Sequence, residues 1–537
     1  MINYSAFNTT SDHSFNVHNA IAYCRTHGED VLVFDKGRYD FYPDMASEDV
    51  LCVSNHDIYG IQRIAFLIKD MKDFTVDGGG SEFVFHGGII PFTVKDSENV
   101  TVKNLSIDHE DTMMRDLEVI NVGEGYFDAL VTNSDKQYVS DGMLYYYDGY
   151  GNTDRYHYMT VRSFGDSKSF ISESTDEFRV FNQNIRFEDL GERKLRIYNA
   201  QNTVKTGMHL LTRGTVRFAC NMVLTGGKNA TLENVTMYKS YSMGVLAQKV
   251  ENVSIDHMTV KAKDDCLYSL NTDATHFVHC KGLIKVTNSE FSEQQDDALN
   301  IHGVFTRIVD KTDDHLLIRY MHPQAKGLNI YEKGDKIAVL DSKSLIPKGH
   351  YVISDVEVVN MNYTKLYIEG GTADIQVGDD VEDLTFSCDL IFENNRVINN
   401  RARGILIAAK GNVSIKNNYF NTPGVAILFE SDGEKWFESG ATTHVEISKN
   451  VFESCKYSKG WGANVIEIKP RERFDEGNYY HKLIDITENS FTDCKVPLLY
   501  ADNAERVVFK DNSLVNCTAF PLAVAKNCGE FINDFEK

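Results

Sequence analysis

The chain has 537 residues, of which 42% are hydrophobic and 11% aromatic, so it can bury a large core and is not intrinsically disordered. Lys and Arg number 55 against 78 Asp and Glu, which gives a formal net charge of −23. This balance argues against a protein that binds nucleic-acid phosphates, anionic membranes or polyanionic sugars.

The N-terminal sequence MINYSAFNTTSDHSF has no basic segment, no apolar segment and no small-residue cleavage site. We therefore expect no signal peptide, and no apolar run is long enough to span a membrane. The expected location is the cytoplasm, with secretion or a periplasmic location as the alternative if a leader has been removed. Residues 16–27 are predicted to form a short helix that caps the open end of a repeat structure.

Segments that alternate apolar and polar residues recur along the chain. Three pairs of successive segments start 23 residues apart, and other intervals are longer. Each segment is followed by a second short apolar run, such as GVLAQ, ALNIHG or AILFE. Period-two alternation at this repeat length predicts an all-β fold, a right-handed parallel β-helix. The segments start at Phe74, Val100, Ala230, Val253, Ile284, Leu390, Val413, Val445, Ile484 and Val507.

Two residue types recur at fixed positions within the C-terminal repeats. An asparagine stands five residues after each start, and a cysteine stands ten residues after three of them. The asparagines are expected to form a stacked amide ladder at a tight turn. The cysteines are expected to be reduced and buried, with a disulfide or a metal site as the alternatives. These positions are Asn395, Asn418, Asn450, Asn489 and Asn512, and Cys455, Cys494 and Cys517.

Two long interruptions divide the repeat into three parts. Both alternate apolar and polar residues and contain turn signals such as Asp-Gly and Lys-Gly-Asp, so each is predicted to be a small antiparallel β-barrel. The predicted β-helix comprises residues 1–117, 215–303 and 388–537, and the predicted barrels comprise 118–214 and 304–387.

Acidic residues cluster beside the second strand of neighbouring repeats. Asp264 and Asp265 precede CLYSL, Asp273 follows it, and Asp296 and Asp297 precede ALNIHG. One Asp-Asp pair would be an ordinary solvated turn. Two pairs in adjacent coils repel each other, which a fold tolerates when a site uses them or cations balance them. Because Asn300, His302, Arg403 and Glu430 follow in the same region, the pattern favours a functional site.

Two carboxylates that flank a sugar bond are sufficient for glycoside hydrolysis. Adjacent coils would place them about 5 Å apart, as in a retaining enzyme, and coils two apart about 10 Å, near the inverting range. Asp297 and Glu430 are expected in one column, two coils apart, and spacing alone leaves both outcomes open. Trp436 and Trp461, the only two tryptophans, could stack on a sugar or pack in loops.

Several motifs resemble glycoside hydrolase family 110, the α-1,3-galactosidases that remove terminal galactose from blood-group-B-type glycans. They are GGSEFVFHG, QQDDALNIHG, NRARGILIAAKG, AILFESDGEKWFESG and WGANVIEIKP, and the resemblance covers nearly the whole chain. It implies a β-helix with two inserted barrels, exo action on a terminal α-galactosyl residue, inversion at the anomeric carbon, and no metal or organic cofactor. It carries the family's acidic cluster over to Asp273, Asp296 and Asp297, and Glu430 lies in the shared WFESG region.

The candidate catalytic residues are therefore Asp273, Asp296, Asp297 and Glu430, with Glu430 as the leading acid and Asp296 or Asp297 as the base, assisted by Asp273. The candidate substrate-binding residues are Asp264, Asp265, Asn300, His302, Arg403, Trp436 and Trp461, and no metal site is expected. The expected partner is a glycan with terminal α-galactose, without nucleic acid or membrane, and a homodimer stays open. One alternative is a polygalacturonase-like β-helix glycosidase, although Ile301 stands where that pattern has glycine before the histidine. The other is a non-catalytic β-helix glycan-binding protein.

Overall fold

Parallel strands stacked coil upon coil form the body of the computed structural model, which describes residues 1–162, 185–199, 204–214, 216–263, 266–471 and 477–535. One sheet of 21 strands runs along the whole molecule. Its strands are Ile2–Asn3, Val31–Val33, Arg38–Phe41, Lys72–Phe85, Glu98–His109, Lys228–Met237, Glu251–Asp256, Thr259–Val260, Lys281–Thr287, Glu290–Ser292, Cys388–Glu393, Arg396–Ile398, Asn412–Lys416, Tyr419–Asn421, His444–Ser448, Val451–Glu453, His481–Thr487, Ser490–Thr492, Ala504–Lys510, Ser513–Val515 and Glu530–Asn533.

A second parallel sheet faces the first across the apolar core. It is built from the second strand of each repeat, and these strands pair in register, for example Leu299 with Ile405 and Ile405 with Ile427. The predicted all-β class, a parallel β-helix, is confirmed. The strands of this sheet are Ile58–Lys69, Ile90–Lys95, Met222–Thr225, Val245–Gln248, Thr275–Val278, Leu299–Lys311, Ile405–Ile407, Ile427–Phe429, Ile466–Ile468, Leu499–Asp502 and Ala523–Lys526, and Ser47–Val53 pairs antiparallel with Ile58–Lys69.

The predicted asparagine ladder is present and buried. The backbone N–H of Asn418 donates to Asn450 Oδ1 at 2.9 Å, and the backbone N–H of Asn450 donates to Asn489 Oδ1 at 3.0 Å. The residue before each ladder asparagine has a positive φ, for example Lys449 at 59° and Glu488 at 57°. This left-handed bend turns backbone N–H groups away from their strand partners. The side-chain oxygen of the asparagine in the next coil accepts from them instead. The repeating asparagine thus supplies the hydrogen-bond acceptor for the backbone N–H at the tight turn of each coil.

The three predicted cysteines also stack, but only two of them are buried. Cys455 and Cys494 are 2% and 0% exposed, whereas Cys517 is partly exposed, so the prediction that all three are buried was wrong for Cys517. The strand before it, Ser513–Val515, pairs with Ser490–Thr492 on one side, and no described strand covers its other side. All ten cysteines are free thiols in the structure.

Thiol labelling of the native protein should therefore distinguish the three positions. Burial raises the pKa of the Cys455 thiol to about 12, so the reactive thiolate is scarce as well as inaccessible. With iodoacetamide at pH 8 and analysis by peptide mass spectrometry, Cys517 should be modified well before Cys455 and Cys494. Urea-unfolded protein, in which all three should react alike, is the control. Equal rates for the three in the native protein would contradict the stacking.

One α-helix, His13–His27, closes the N-terminal end and confirms the predicted cap, beginning three residues earlier than expected. The Asp12 side chain accepts from the backbone N–H of Ser14, and Gly28 ends the helix at φ 66°. Its buried face, including Val17 and Ile21, belongs to the same apolar core as the coils. Two short 3₁₀ helices, Tyr4–Phe7 and Pro323–Ala325, complete the helical content of the described residues. None of the described helices has the length and apolarity needed to cross a bilayer.

The first interruption of the repeat forms an eight-stranded antiparallel sheet. On either side of it, Glu98–His109 pairs directly with Lys228–Met237, so the coils continue without a gap in stacking. The strands of this inserted sheet are Met114–Gly123, Tyr126–Val131, Gln137–Ser140, Met143–Tyr147, Thr153–Arg162, Arg186–Gly191, Lys194–Tyr198 and His209–Gly214.

The second interruption forms a closed antiparallel barrel beside the coils. The strand Leu299–Lys311 belongs to both structures, because Leu299 pairs with Ile405 of the β-helix and Thr306 pairs with Tyr320 of the barrel. A short strand, Glu438–Ser439, pairs with Gly303 and Val304 at this junction. The remaining barrel strands are His315–Tyr320, Lys336–Leu340, Pro347–Val358, Tyr363–Ile368 and Asp380–Asp383. The exact domain boundaries stay predictions.

Candidate active site

The strand register gathers two aspartates and an arginine into one column. Thr275 pairs with Leu299, and Leu299 with Ile405. Asp273, Asp297 and Arg403 each stand two residues before one of these positions, so they follow one another on successive coils. Glu430 instead stands three residues after Ile427, at the opposite end of its strand. The expectation that Asp297 and Glu430 share a column was therefore wrong.

Most of the predicted site residues nevertheless line one cavity of about 370 Å³. The lining includes Asp273, Asp296, Asn300, Arg403, Glu430, Trp436 and Trp461. Asp297 lies behind the wall and is fully buried, and His302 is buried behind His276. Asp264 and Asp265 lie outside the described residues.

The three aspartates form a tight acidic cluster. One carboxylate oxygen from each of Asp273, Asp296 and Asp297 lies within 4.8 Å of the others. Arg403 contacts Asp297 at two points, Nη2 to Oδ2 at 2.8 Å and Nε to Oδ1 at 3.0 Å. The backbone N–H of Asp297 in turn donates to Asp273 Oδ1 at 3.2 Å.

Burial and crowding keep a proton in this cluster. Burial, helped by the neighbouring charge of Asp296, raises the pKa of Asp273 to about 7. Burial also raises the pKa of Asp297 well above its usual range, although Arg403 opposes the shift. Because carboxyl groups this close titrate together, the cluster shares its protons and retains at least one near neutral pH.

Glu430 is held differently from the aspartates. Its Oε1 lies 2.8 Å from Arg471 Nε, and Arg471 Nη1 lies 3.2 Å from Asp432 Oδ2. Glu430 therefore acts as the acceptor of a charge-assisted hydrogen bond at the edge of the cavity.

The cavity is balanced in charge although the chain is strongly acidic. Among its described lining residues, six cations face five carboxylates. The cations are Arg213, Arg217, Arg401, Arg403, Lys435 and Arg471, and the carboxylates are Asp273, Asp296, Glu430, Asp432 and Glu438. A site of this kind offers both donors and acceptors to a neutral polyhydroxylated ligand, and clustered acids with a retained proton can perform acid–base chemistry.

Comparisons with known proteins identify the family. Residues 315–381 match the family described as GLAA-B beta-barrel domain II. Alpha-1,3-galactosidase A of Shewanella woodyi is 30% identical over 510 residues, which cover 94% of this chain and 83% of that protein. An alpha-1,3-galactosidase B of Phocaeicola vulgatus is 31% identical over 518 residues, covering 91% and 86%. The chain belongs to the α-1,3-galactosidase family, glycoside hydrolase family 110. The predicted family and the prediction that the protein is an enzyme are confirmed.

Two tryptophans flank the cavity of this family 110 enzyme. The Trp461 ring lies beneath the guanidinium groups of Arg401 and Arg403, with ring-centroid distances of 5.0 and 5.6 Å. Its backbone φ is 61°, an uncommon conformation for a bulky residue that tends to occur at functional sites. Trp436 packs against His322 of the second barrel, with ring centroids 4.6 Å apart. The role of both rings in sugar binding stays a prediction.

The family 110 cavity also contains residues that the sequence did not single out. His276 Nδ1 lies 2.6 Å from Asp273 Oδ2, and its position three residues after that aspartate was the one available signal. Glu438 reaches the site because the strand Glu438–Ser439 pairs with the barrel strand. No local sequence pattern predicts this pairing. Arg213 comes from the first inserted sheet and Arg217 from the segment after it, far from the acidic cluster in sequence.

Proposed function

We propose that this enzyme removes terminal α-1,3-linked galactose from glycans, acting from the chain end and inverting the anomeric carbon. The proposed substrates are the blood group B antigen and linear α-1,3-galactosyl structures. The observation that carries the proposal is the proton-retaining cluster of three aspartates on one cavity of a family 110 chain. The cavity volume, about 370 Å³, lies at the small end of the usual ligand range of about 300–1,000 Å³ and suits a single terminal sugar.

Asp296 is the proposed general acid. It lines the cavity, and its Oδ1 has no hydrogen-bond partner among the described residues. Oδ1 is itself buried, so the proposed route passes a proton held within the cluster to the glycosidic oxygen from the part of Asp296 that lines the cavity. This assignment differs from the sequence-based expectation, which had Glu430 as the acid and Asp296 or Asp297 as the base; Arg471 already donates to Glu430. Glu430, Arg403 and Asn300 are proposed to hold galactose hydroxyls.

Asp273 is proposed to direct the attacking water, and Asp297, buried behind the cavity wall, to support Asp273. Both are tied as acceptors, Asp297 to Arg403 and Asp273 to the backbone N–H of Asp297. One carboxylate oxygen from each aspartate lies within 4.8 Å of the others, nearer to the separation in retaining enzymes, about 5–5.5 Å, than to the roughly 6.5–9.5 Å of inverting ones, so a covalent route must be considered. Asp297 is fully buried and doubly bound by Arg403, and the pKa of Asp273 is raised to about 7, so both are poor nucleophiles toward carbon. A water-mediated single displacement, which inverts, therefore fits these groups better.

The anomer released first should be β-galactose. An α-1,3-galactobioside and a fucosylated B trisaccharide are each incubated with enzyme and followed by proton NMR from time zero. β-Galactose should appear first and then mutarotate to the mixture. Galactobiosides with α-1,4 and α-1,6 linkages serve as linkage controls. Release of α-galactose first would overturn inversion but not the activity, whereas no galactose from either substrate would overturn the proposed activity.

A further inference from the structure

Four side chains form a continuous chain of contacts along the wall of the cavity, ending at its junction with the second barrel. Asp273 Oδ2 lies 2.6 Å from His276 Nδ1, and His276 Nε2 lies 2.9 Å from His302 Nε2. His302 Nε2 also lies 3.5 Å from Glu438 Oε1. All four residues are less than 9% exposed, and Asp273, His276 and Glu438 also line the cavity.

The hydrogen-bond partners determine where the protons sit along this path. His302 Nδ1 lies 2.6 Å from the carbonyl oxygen of Gly303, which can only accept, so Nδ1 carries a hydrogen. In a neutral His302 the other nitrogen, Nε2, is then an acceptor, and His276 Nε2 must donate to it. His276 Nδ1 is consequently an acceptor as well, and the proton between it and Asp273 belongs to the Asp273 carboxyl.

A second arrangement contains the same number of protons. If the proton of Asp273 moves to His276 Nδ1, the proton on His276 Nε2 can move to His302 Nε2. Asp273 is then an ionised carboxylate and His302 is an imidazolium beside the carboxylate of Glu438. Each proton travels along one short hydrogen bond, and no proton enters or leaves the protein.

We propose that His276 and His302 are positioning residues that relay the proton of Asp273 toward Glu438, so that Asp273 can accept the proton of the attacking water. This inference rests on the proposed function for the identity of the base. The oxygen of water bonds to the anomeric carbon, and its proton goes to Asp273. The proton of Asp296 goes to the leaving glycosidic oxygen as the C–O bond breaks. The surplus proton then returns to Asp296 within the acidic cluster, which restores the starting state.

The surroundings of the two imidazoles support this sequence of states. Burial, with His302 and Arg217 adding to it, lowers the pKa of His276 well below its usual value, so His276 stays neutral and passes a proton rather than storing it. Glu438 and Asp296 oppose that shift. The titratable and charged groups that face the two rings are Asp273, Asp296, Arg217, His56, His322 and Glu438. Of these, Glu438 lies within 4 Å of His302 and can stabilise its cationic form.

The pH dependence of kcat/KM tests the relay. In the wild-type enzyme the internal proton shift does not depend on pH, so kcat/KM should stay nearly level between pH 7 and pH 5. In His302→Gln, Asp273 must lose its proton to solvent, so kcat/KM should fall about tenfold per pH unit below pH 7. Glu438→Gln removes the anion beside the imidazolium. It should also make kcat/KM fall below pH 7, where the wild-type value stays nearly level.

The control is His481→Gln, because His481 is also fully buried but faces Thr442 rather than the relay. Its profile should keep the wild-type shape. If His302→Gln lowers kcat/KM by one factor at every pH, the histidine is merely structural and the relay is wrong.

A second measurement needs neither a variant nor a substrate. Nitrogen-15 histidine NMR of the resting enzyme should show neutral His276 protonated on Nε2 and neutral His302 protonated on Nδ1. A resting His276 protonated on Nδ1 beside a neutral His302 would overturn the relay. Because no glycan is present, this result is separate from any failure of the proposed galactosidase activity.

Discussion

Asp296→Asn should lower kcat on an α-1,3-linked galactobioside by about 10²–10⁴-fold, the usual contribution of a general acid. The amide keeps the shape of the carboxyl but cannot give a proton to the leaving oxygen. An aryl α-galactoside with an acidic phenol as leaving group needs little protonation, so its kcat should fall far less. Steady-state kinetics on the two substrates, with galactose inhibition to check binding, measures the difference.

Glu430→Gln is the matched comparison for the acid assignment. Glu430 accepts from Arg471 at 2.8 Å and is proposed to bind a galactose hydroxyl. Removing its carboxylate should therefore lower activity on the galactobioside and on the aryl galactoside to a similar degree. If Glu430→Gln shows the strong dependence on leaving group and Asp296→Asn does not, the acid is Glu430, as the sequence first suggested. Equal losses on both substrates for both variants would place the general acid elsewhere.

The coil architecture could be predicted because it repeats. The side-chain oxygens of Asn450 and Asn489 each accept from the backbone N–H of the ladder asparagine one coil earlier, so a single physical requirement appears in the sequence at a fixed spacing. The Asp296–Asp297 pair could be recognised in the sequence for a related reason. Adjacent coils bring like charges together, which ordinary turns do not. The same reasoning was wrong for Cys517, because stacking shields a residue from solvent only where a further coil covers it.

The completion of the site could not be predicted, because it depends on contacts between distant segments. Glu438 meets His302 through an antiparallel pairing between a loop and the barrel strand. Arg471 reaches Glu430 from 41 residues away along the chain. Arg213 arrives from the first inserted sheet. None of these contacts follows the repeat, so neither periodicity nor composition shows that cations balance the acidic cluster.

Arg403→Met should lower the free energy of unfolding by about 3–5 kcal/mol at pH 8, the usual cost of removing one partner of a buried ion pair. Asp297 is 0% exposed and takes two contacts from Arg403, so the variant leaves a buried carboxyl without its cation. Urea unfolding followed by circular dichroism at pH 5 and pH 8 measures the loss. Arg396→Met, at an exposed arginine 3.5 Å from Glu290, is the control and should cost less than about 1 kcal/mol.

The loss should also depend on pH, with a sign set by Asp297. Burial raises the pKa of Asp297 in the folded protein, and without Arg403 it rises further. Above the pKa of the unfolded chain, about 4, the folded variant keeps a proton that the unfolded chain releases, so stability falls as pH rises toward the folded pKa. The deficit of Arg403→Met should therefore be smaller at pH 5 than at pH 8. Adding Asp297→Asn removes the group that titrates, so the double variant should be more stable than Arg403→Met at pH 8 and lose this pH dependence. An equal deficit at both pH values, unchanged by Asp297→Asn, would mean that Arg403 stabilises the fold by packing and not by holding the Asp297 charge.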